Sequence, residues 1–283
     1  MKTLSLGYSP CPNDTFIFYA LSHNRIALGD LRFAAPQLED VETLNSWALQ
    51  KRLDVTKISC HALGHVLDEY CVLNAGSALG RGCGPLLVAA SEMPIESLVG
   101  KKVAIPGRLT TAALLFRLFL PAGTELIEMR FDTIMEAVRR REVDAGVIIH
   151  ESRFTYAEQG LVCLQDLGQW WEDVSGQPIP LGCIVARRSL GREMLQRIDQ
   201  AIAASIGYAF ASPADCLPYI REHSQETAEE VVQSHIGLYV NEYSRDLGSE
   251  GMAAITAFLE RGRQAGVLPC SGTAEQPVFR YLL

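Results

Sequence analysis

Short apolar blocks alternate with helix-length amphipathic stretches along the chain, a pattern that predicts an α/β protein. Residues 3–8 alternate as a short strand. Ser9-Pro10-Cys11-Pro12-Asn13 cannot prolong it, because two prolines fix the backbone and remove donors. Asn13 or Asp14 can cap the helix that continues through Thr15-Phe16-Ile17-Phe18-Tyr19-Ala20-Leu21, so strand, tight loop and helix start form an anion-friendly corner. Residues 31–38 form a second strand. Asp40 opens a helix over 41–51, with Val41, Leu44 and Ala48 on its apolar side, and the chain then enters a short strand ending on Lys57-Ile58-Ser59.

The passage from helix to strand recurs further on. Gln50-Lys51-Arg52-Leu53-Asp54 precedes one strand, and Arg139-Arg140-Arg141-Glu142-Val143-Asp144 precedes the run Ala145-Gly146-Val147-Ile148-Ile149, which delivers His150. Such an echo is what two similar α/β lobes facing one ligand cleft would produce. The glycine-led apolar runs at residues 86–90 and 181–187 are the expected crossings between lobes. They set a discontinuous first lobe of residues 1–88 and 188–283 and a second lobe of residues 89–187.

The second lobe opens with a strand over residues 101–105, ended by Pro106-Gly107, and Arg108-Leu109-Thr110-Thr111 then starts an apolar helix. Thr110 and Thr111 have two readings: ordinary capping, or a carboxylate site made by free N–H groups and the helix dipole. His150 also has two, a core histidine satisfied by backbone, or a functional group at the carboxyl end of a strand, where open α/β sheets collect ligands. Residues 168–180, with Trp170 and Trp171, read as a turn-rich connection whose tryptophans either wall a ligand site or pack beneath a loop. Residues 192–259 are mostly helical, with Pro213 and Pro218 as breaks, and place His223 and His235 in exposed helical surroundings. His61 and His65 are four residues apart, but no carboxylate completes a metal motif, so the pair is read as structural and no metal is expected.

Composition narrows the class. The chain has 283 residues, 48% apolar and 20% charged, which is a globular balance with length for two domains. Its net charge of −8 argues against binding a phosphate backbone. The amino terminus runs straight into a strand pattern without a secretory signal, and no segment reaches membrane-spanning length, so a cytosolic protein with no membrane partner is expected. Eight cysteines are widely spaced, without Cys-x-x-Cys, and are expected to be reduced and mostly buried. Cys11, between two prolines, is the one that could be exposed.

Several of these stretches are long and unusual: residues 7–18 (Gly-Tyr-Ser-Pro-Cys-Pro-Asn-Asp-Thr-Phe-Ile-Phe), residues 38–45, Gly80-Arg81-Gly82, Pro106-Gly107-Arg108 with Thr110-Thr111, and residues 148–156 around His150. Together they resemble the 1,4-dihydroxy-6-naphthoate synthases of the futalosine route to menaquinone, over nearly the whole chain. The resemblance implies a two-lobed fold like that of type II periplasmic binding proteins. It also implies a carbon–carbon lyase that needs no cofactor and acts on a small aromatic carboxylate, cyclic dehypoxanthinylfutalosine. Carried over position by position, it makes His150 the catalytic base and Lys57, Ile58, Ser59, Thr110 and Thr111 substrate contacts. A non-catalytic binding or sensor protein on the same fold, and the sister chorismate dehydratase, are the alternatives.

Overall fold

In the computed structural model, which describes residues 3–120, 123–225 and 228–269, each strand that carries a candidate residue sits in the interior of a sheet. The chain divides into two units, one formed by residues up to Gly80 together with those from Pro180 on, the other by Arg81–Ile179.

In the first unit the sheet runs in the order Gln37–Leu38, Leu6–Tyr8, Val55–Ser59, Ile179–Arg187, Tyr70–Val72, with Ala78–Gly80 also paired to Ile179–Arg187. Leu6–Tyr8 is parallel to both of its neighbours, whereas Ile179–Arg187 is antiparallel to Val55–Ser59, with Gly182 opposite Ser59 and Ile184 opposite Lys57. Every residue of Val55–Ser59 is buried, including Lys57. Helix Pro12–Ser22 supplies Phe16, Ile17 and Phe18 to a core closed by Leu195, Ile198, Ile202 and Ile206 of helix Arg192–Ala211 and by Ile236 of helix Glu229–Tyr239. Each such apolar side chain contributes roughly 1.5–3 kcal/mol on burial.

In the second unit the order is Glu125–Glu128, Lys102–Ile105, Ala145–Ile148, Leu86–Ala89, Val162–Asp166; the first three are parallel and Leu86–Ala89 is antiparallel to both its neighbours. Helix Ile134–Arg139 lies so close to Ala145–Ile148 that a Cβ added at Gly146 would stand 2.4 Å from Ile134 Cγ2. The units therefore divide at Gly80/Arg81 and Ile179/Pro180, earlier than the expected 88/89 and 187/188. Leu86–Ala89 pairs within the second sheet, while nearly all of Ile179–Arg187 pairs within the first.

The echo between the lobes has a common geometry. After helix Val41–Leu49, Lys51 takes φ 57° and Arg52 N–H donates to Trp47 O; after Ile134–Arg139, Arg141 takes φ 59° and Glu142 N–H donates to Ala137 O. Both are helix ends closed by a left-handed residue. The aspartate that follows then ties the new strand to its parallel neighbour: Asp54 accepts from Ser5 N–H, and Asp144 from Lys102 N–H, at 3.0 and 2.9 Å.

Several expectations need correcting. The predicted strand over 31–38 is two short pieces, Arg32–Phe33 and Gln37–Leu38, because Pro36 lacks a donor for the ladder. The first helix starts at Pro12, with Cys11 before it, since proline suits the first helical position; Asp14 therefore lies inside the first turn and caps nothing. Cys11 is buried, 6% exposed. Residues 167–175 are a helix and not a loop, because Asp166 Oδ1 accepts from Gly168 and Gln169 N–H and Gly176, at φ 70°, closes the other end. Trp171 is on its buried side and donates to Pro178 O, and Trp170 stands edge-on to Phe119. Pro218 lies within helix Pro213–His223, whose buried Cys216 and Ile220 anchor the turns on either side. His235 is fully buried, because its helix turns that face into the core. The seven described cysteines are all unbridged, and Cys270 lies outside the described residues. Among the described residues no helix is long and apolar enough to cross a membrane.

Candidate active site

In each unit two parallel neighbouring strands carry candidate residues to the same carboxyl edge. In the first, Leu6–Tyr8 leads into Ser9, Asn13 and Asp14, and the adjacent Val55–Ser59 carries Lys57 and Ser59 on one face, with Ile58 on the other. Lys57 Nζ donates to Asp14 Oδ1 at 2.8 Å and to Gly76 O at 3.1 Å. The two charged side chains are only 5% and 3% exposed. Removing one partner of a buried pair of this kind costs about 3–5 kcal/mol, because the other is left charged in a poor solvent.

The remaining lone pairs of Asp14 are used as well. Its Oδ2 accepts from Ser9 Oγ–H at 2.8 Å and Ser9 N–H at 3.2 Å, and its Oδ1 also accepts from Asn13 Nδ2–H at 2.9 Å. Ser59 is set by Asn45 of helix Val41–Leu49, whose Oδ1 accepts from Ser59 N–H at 2.8 Å and whose Nδ2 donates to Ser59 Oγ at 3.1 Å. Gly182, across the ladder, leaves room for the lysine stem: an added Cβ would stand 3.3 Å from Lys57 Cε. Ile58 is fully buried and its side chain belongs to the core. Cys60, the next residue after Ser59, is held protonated by burial, its pKa well above that of an ordinary thiol.

In the second unit Lys102–Ile105 and Ala145–Ile148 are parallel neighbours, so the Thr110 loop and His150 leave the sheet at one edge. Thr110 is 2% exposed and caps helix Thr111–Phe119. Its Oγ1 accepts from Ala113 N–H at 3.2 Å and donates to Gly107 O at 2.8 Å. Thr110 is thus the N-cap of the helix, and Thr111, 4% exposed, sits in the first turn beside it.

His150 follows the strand in a turn at φ 57°, half-buried, with its ring edge-on to Phe131 at 4.9 Å between centroids. A non-glycine residue in the left-handed region costs on the order of 1 kcal/mol or more, and such strain gathers at functional positions. The turn is fastened from behind: Arg153 Nη2–H donates to Asp166 Oδ2 at 2.7 Å and Nη1–H to Gly84 O at 2.6 Å. Gly84 and Gly168 meet backbone to backbone, an added Cβ at Gly84 standing 2.3 Å from Gly168 Cα, so neither position has space for a side chain.

Sequence reasoning named Lys57, Ile58, Ser59, Thr110, Thr111 and His150, and left out Asp14, Asn13, Asn45, Phe131, Arg153 and His235. Asp14 and Asn13 had a signal in the loop-and-helix corner after the first strand. For His235, 222 positions from Asn13, no local pattern exists.

Comparisons with known proteins bear on this arrangement. Residues 4–264 match a family model described as menaquinone biosynthesis. The chain is 47% identical over 279 residues to the 1,4-dihydroxy-6-naphthoate synthase of Thermus thermophilus, covering 99% of this chain and 100% of that protein. It is 46% identical over 279 residues to the protein of the same name from Streptomyces coelicolor, covering 95% and 96%. Among solved structures it is similar to protein AF1704 of Archaeoglobus fulgidus, with a TM-score of 0.89 and 37% identity over 94% of this chain and 98% of that one. The periplasmic aliphatic sulphonate binding protein SsuA of Escherichia coli, at a TM-score of 0.64 and 12% identity over 99% and 91% of the two chains, shares the fold alone. With a periplasmic-binding-protein fold and 46–47% identity to these synthases over nearly its full length, the chain belongs to the 1,4-dihydroxy-6-naphthoate synthase family of menaquinone biosynthesis.

Proposed function

We propose that this protein is a carbon–carbon lyase that converts cyclic dehypoxanthinylfutalosine into 1,4-dihydroxy-6-naphthoate and dihydroxyacetone, with His150 as general base. The reading rests chiefly on the 47% identity to a protein of that synthase name across the whole chain. His150 takes a proton from carbon, the carbon–carbon bond to the sugar-derived fragment breaks, and the fused ring becomes an aromatic naphthalene diol. Aromatisation supplies much of the driving force, so one well-placed base suffices. Histidine suits the task because it titrates near neutral pH, and general-base catalysis contributes about 10²- to 10⁴-fold.

Lys57 and Ser59, the backbone of Ile58, Thr110 and Thr111 are the proposed substrate contacts. The aryl carboxylate belongs at the Thr110–Thr111 helix start, where N–H donors and the dipole favour an anion. The strained backbone at His150 and the Phe131 ring beside it support the base assignment, because they hold the imidazole in one place.

The decisive experiment incubates purified protein with cyclic dehypoxanthinylfutalosine and follows the fluorescent naphthoate by chromatography. Turnover by the wild type is expected, with a loss of at least about a hundredfold in a folded His150→Ala variant. Near-normal turnover in that variant would remove the base assignment, and substrate bound but unchanged by the wild type would favour a binding role.

A further inference from the structure

Helix Glu229–Tyr239 contributes one polar group to the interior of the first unit that the proposed mechanism does not use. His235 is fully buried, its ring lies 4.5 Å from that of Tyr239, and its Nε2 is 2.9 Å from Asn13 Oδ1. Asn13 is 7% exposed, and its amide nitrogen is 2.9 Å from Asp14 Oδ1, the oxygen that also accepts from Lys57.

Chemistry fixes the direction of this chain of bonds. A carboxylate only accepts, so the NH2 of Asn13 must face Asp14, and its oxygen must face the histidine. An amide oxygen also only accepts, so His235 Nε2 must carry a proton, in the neutral ring and in the imidazolium alike. The order is therefore His235 Nε2–H to Asn13, Asn13 N–H to Asp14, and Lys57 N–H to that same Asp14 oxygen. Without the histidine donor the Asn13 oxygen loses its buried partner, and the side chain keeps only one of the two bonds that fix its place against Asp14.

We propose that Asn13 and His235 are positioning residues that hold the Asp14 carboxylate, and through it the Lys57 ammonium, in the geometry that meets the substrate. The kinetic half of this inference rests on the reading that Lys57 is a substrate contact; the structural half does not.

The test observes the Lys57 ammonium by 1H–15N correlation in labelled, unliganded protein, together with steady-state kinetics on cyclic dehypoxanthinylfutalosine. In the wild type the ammonium protons are expected to be protected from exchange. His235→Phe and Asn13→Ala should shift that resonance and remove its protection. His235→Gln, whose amide N–H reaches the place of Nε2–H, should restore it. In the same order kcat/KM should fall about tenfold and recover, carried by KM, as for a lost buried hydrogen bond. If His235→Phe does not fold, Asn13→Ala, which keeps the His235 ring in the core, breaks the same link and decides the matter alone. A wild-type Lys57 resonance in a folded His235→Phe or Asn13→Ala protein overturns the proposal, as does a lowered Tm with KM and kcat unchanged. Failure of the wild type to turn over the substrate would overturn the lyase reading, while the resonance would still decide the positioning role.

Discussion

His150 carries two separable properties, an imidazole ring and a backbone at φ 57°. The ring is the proposed base, and the backbone conformation is a cost that a side chain meets and glycine does not. His150→Ala and His150→Gly remove the ring equally and differ in the backbone term alone. The glycine variant is expected to be more stable than the alanine variant by about 1 kcal/mol in urea unfolding, both being equally inactive. Equal stabilities would mean that the turn relaxes and that the strain does not hold the ring. Legibility at this scale followed chain distance. His150 was visible because an apolar run stops on it, and Thr110 because capping is local. Lys57 and Ser59 were named by resemblance, whereas Asn45, Phe131 and His235 reach their partners from other elements. No periodicity encodes such contacts.

At the scale of elements, the two helix-to-strand passages are the clearest case of sequence and structure agreeing. Basic residues, an apolar residue and an aspartate recur because each helix ends through a left-handed residue and each aspartate binds the neighbouring strand. Neither Lys51 nor Arg141 is glycine, so each retains a conformational cost. Lys51→Gly and Arg141→Gly are each expected to raise the unfolding free energy by up to about 1 kcal/mol, without effect on turnover, in chemical denaturation at neutral pH. The exposed Lys51–Glu69 ion pair, lost in the first variant, subtracts little. The helix over Leu167–Ser175 was hidden for a related reason: its start depends on Asp166, which also pairs with Arg153, and Gly168 resembles a loop residue until its backbone contact with Gly84 is seen.

For the molecule as a whole, the two-unit α/β architecture was legible in the alternation of strands and helices, but the unit boundaries were not, since glycine-led apolar runs do not say which sheet they join. The cysteines tie stability to pH across both units. Burial pushes the Cys71 thiol up to about 11 and the Cys83 thiol up to about 12. A folded pKa raised above the unfolded value of about 8.5 leaves stability intact below that pH and removes it progressively as pH rises toward the folded values. The unfolding free energy is expected to decline between about pH 9 and 11. Ellman's reagent at pH 8 should leave both thiols untouched in the native protein and modify them in urea. The discontinuity of the first unit also bears on how the protein is made. Arg81–Ile179 is one uninterrupted segment, whereas Ile17 and Asn13 meet their partners Ser205 and His235 only 188 and 222 residues later. At a synthesis rate of about 5–20 residues per second, the first helix waits on the order of ten seconds with Phe16, Ile17 and Phe18 uncovered. The opening segment of the chain is therefore the part that most needs a chaperone at the ribosome, and the second unit the part that needs one least.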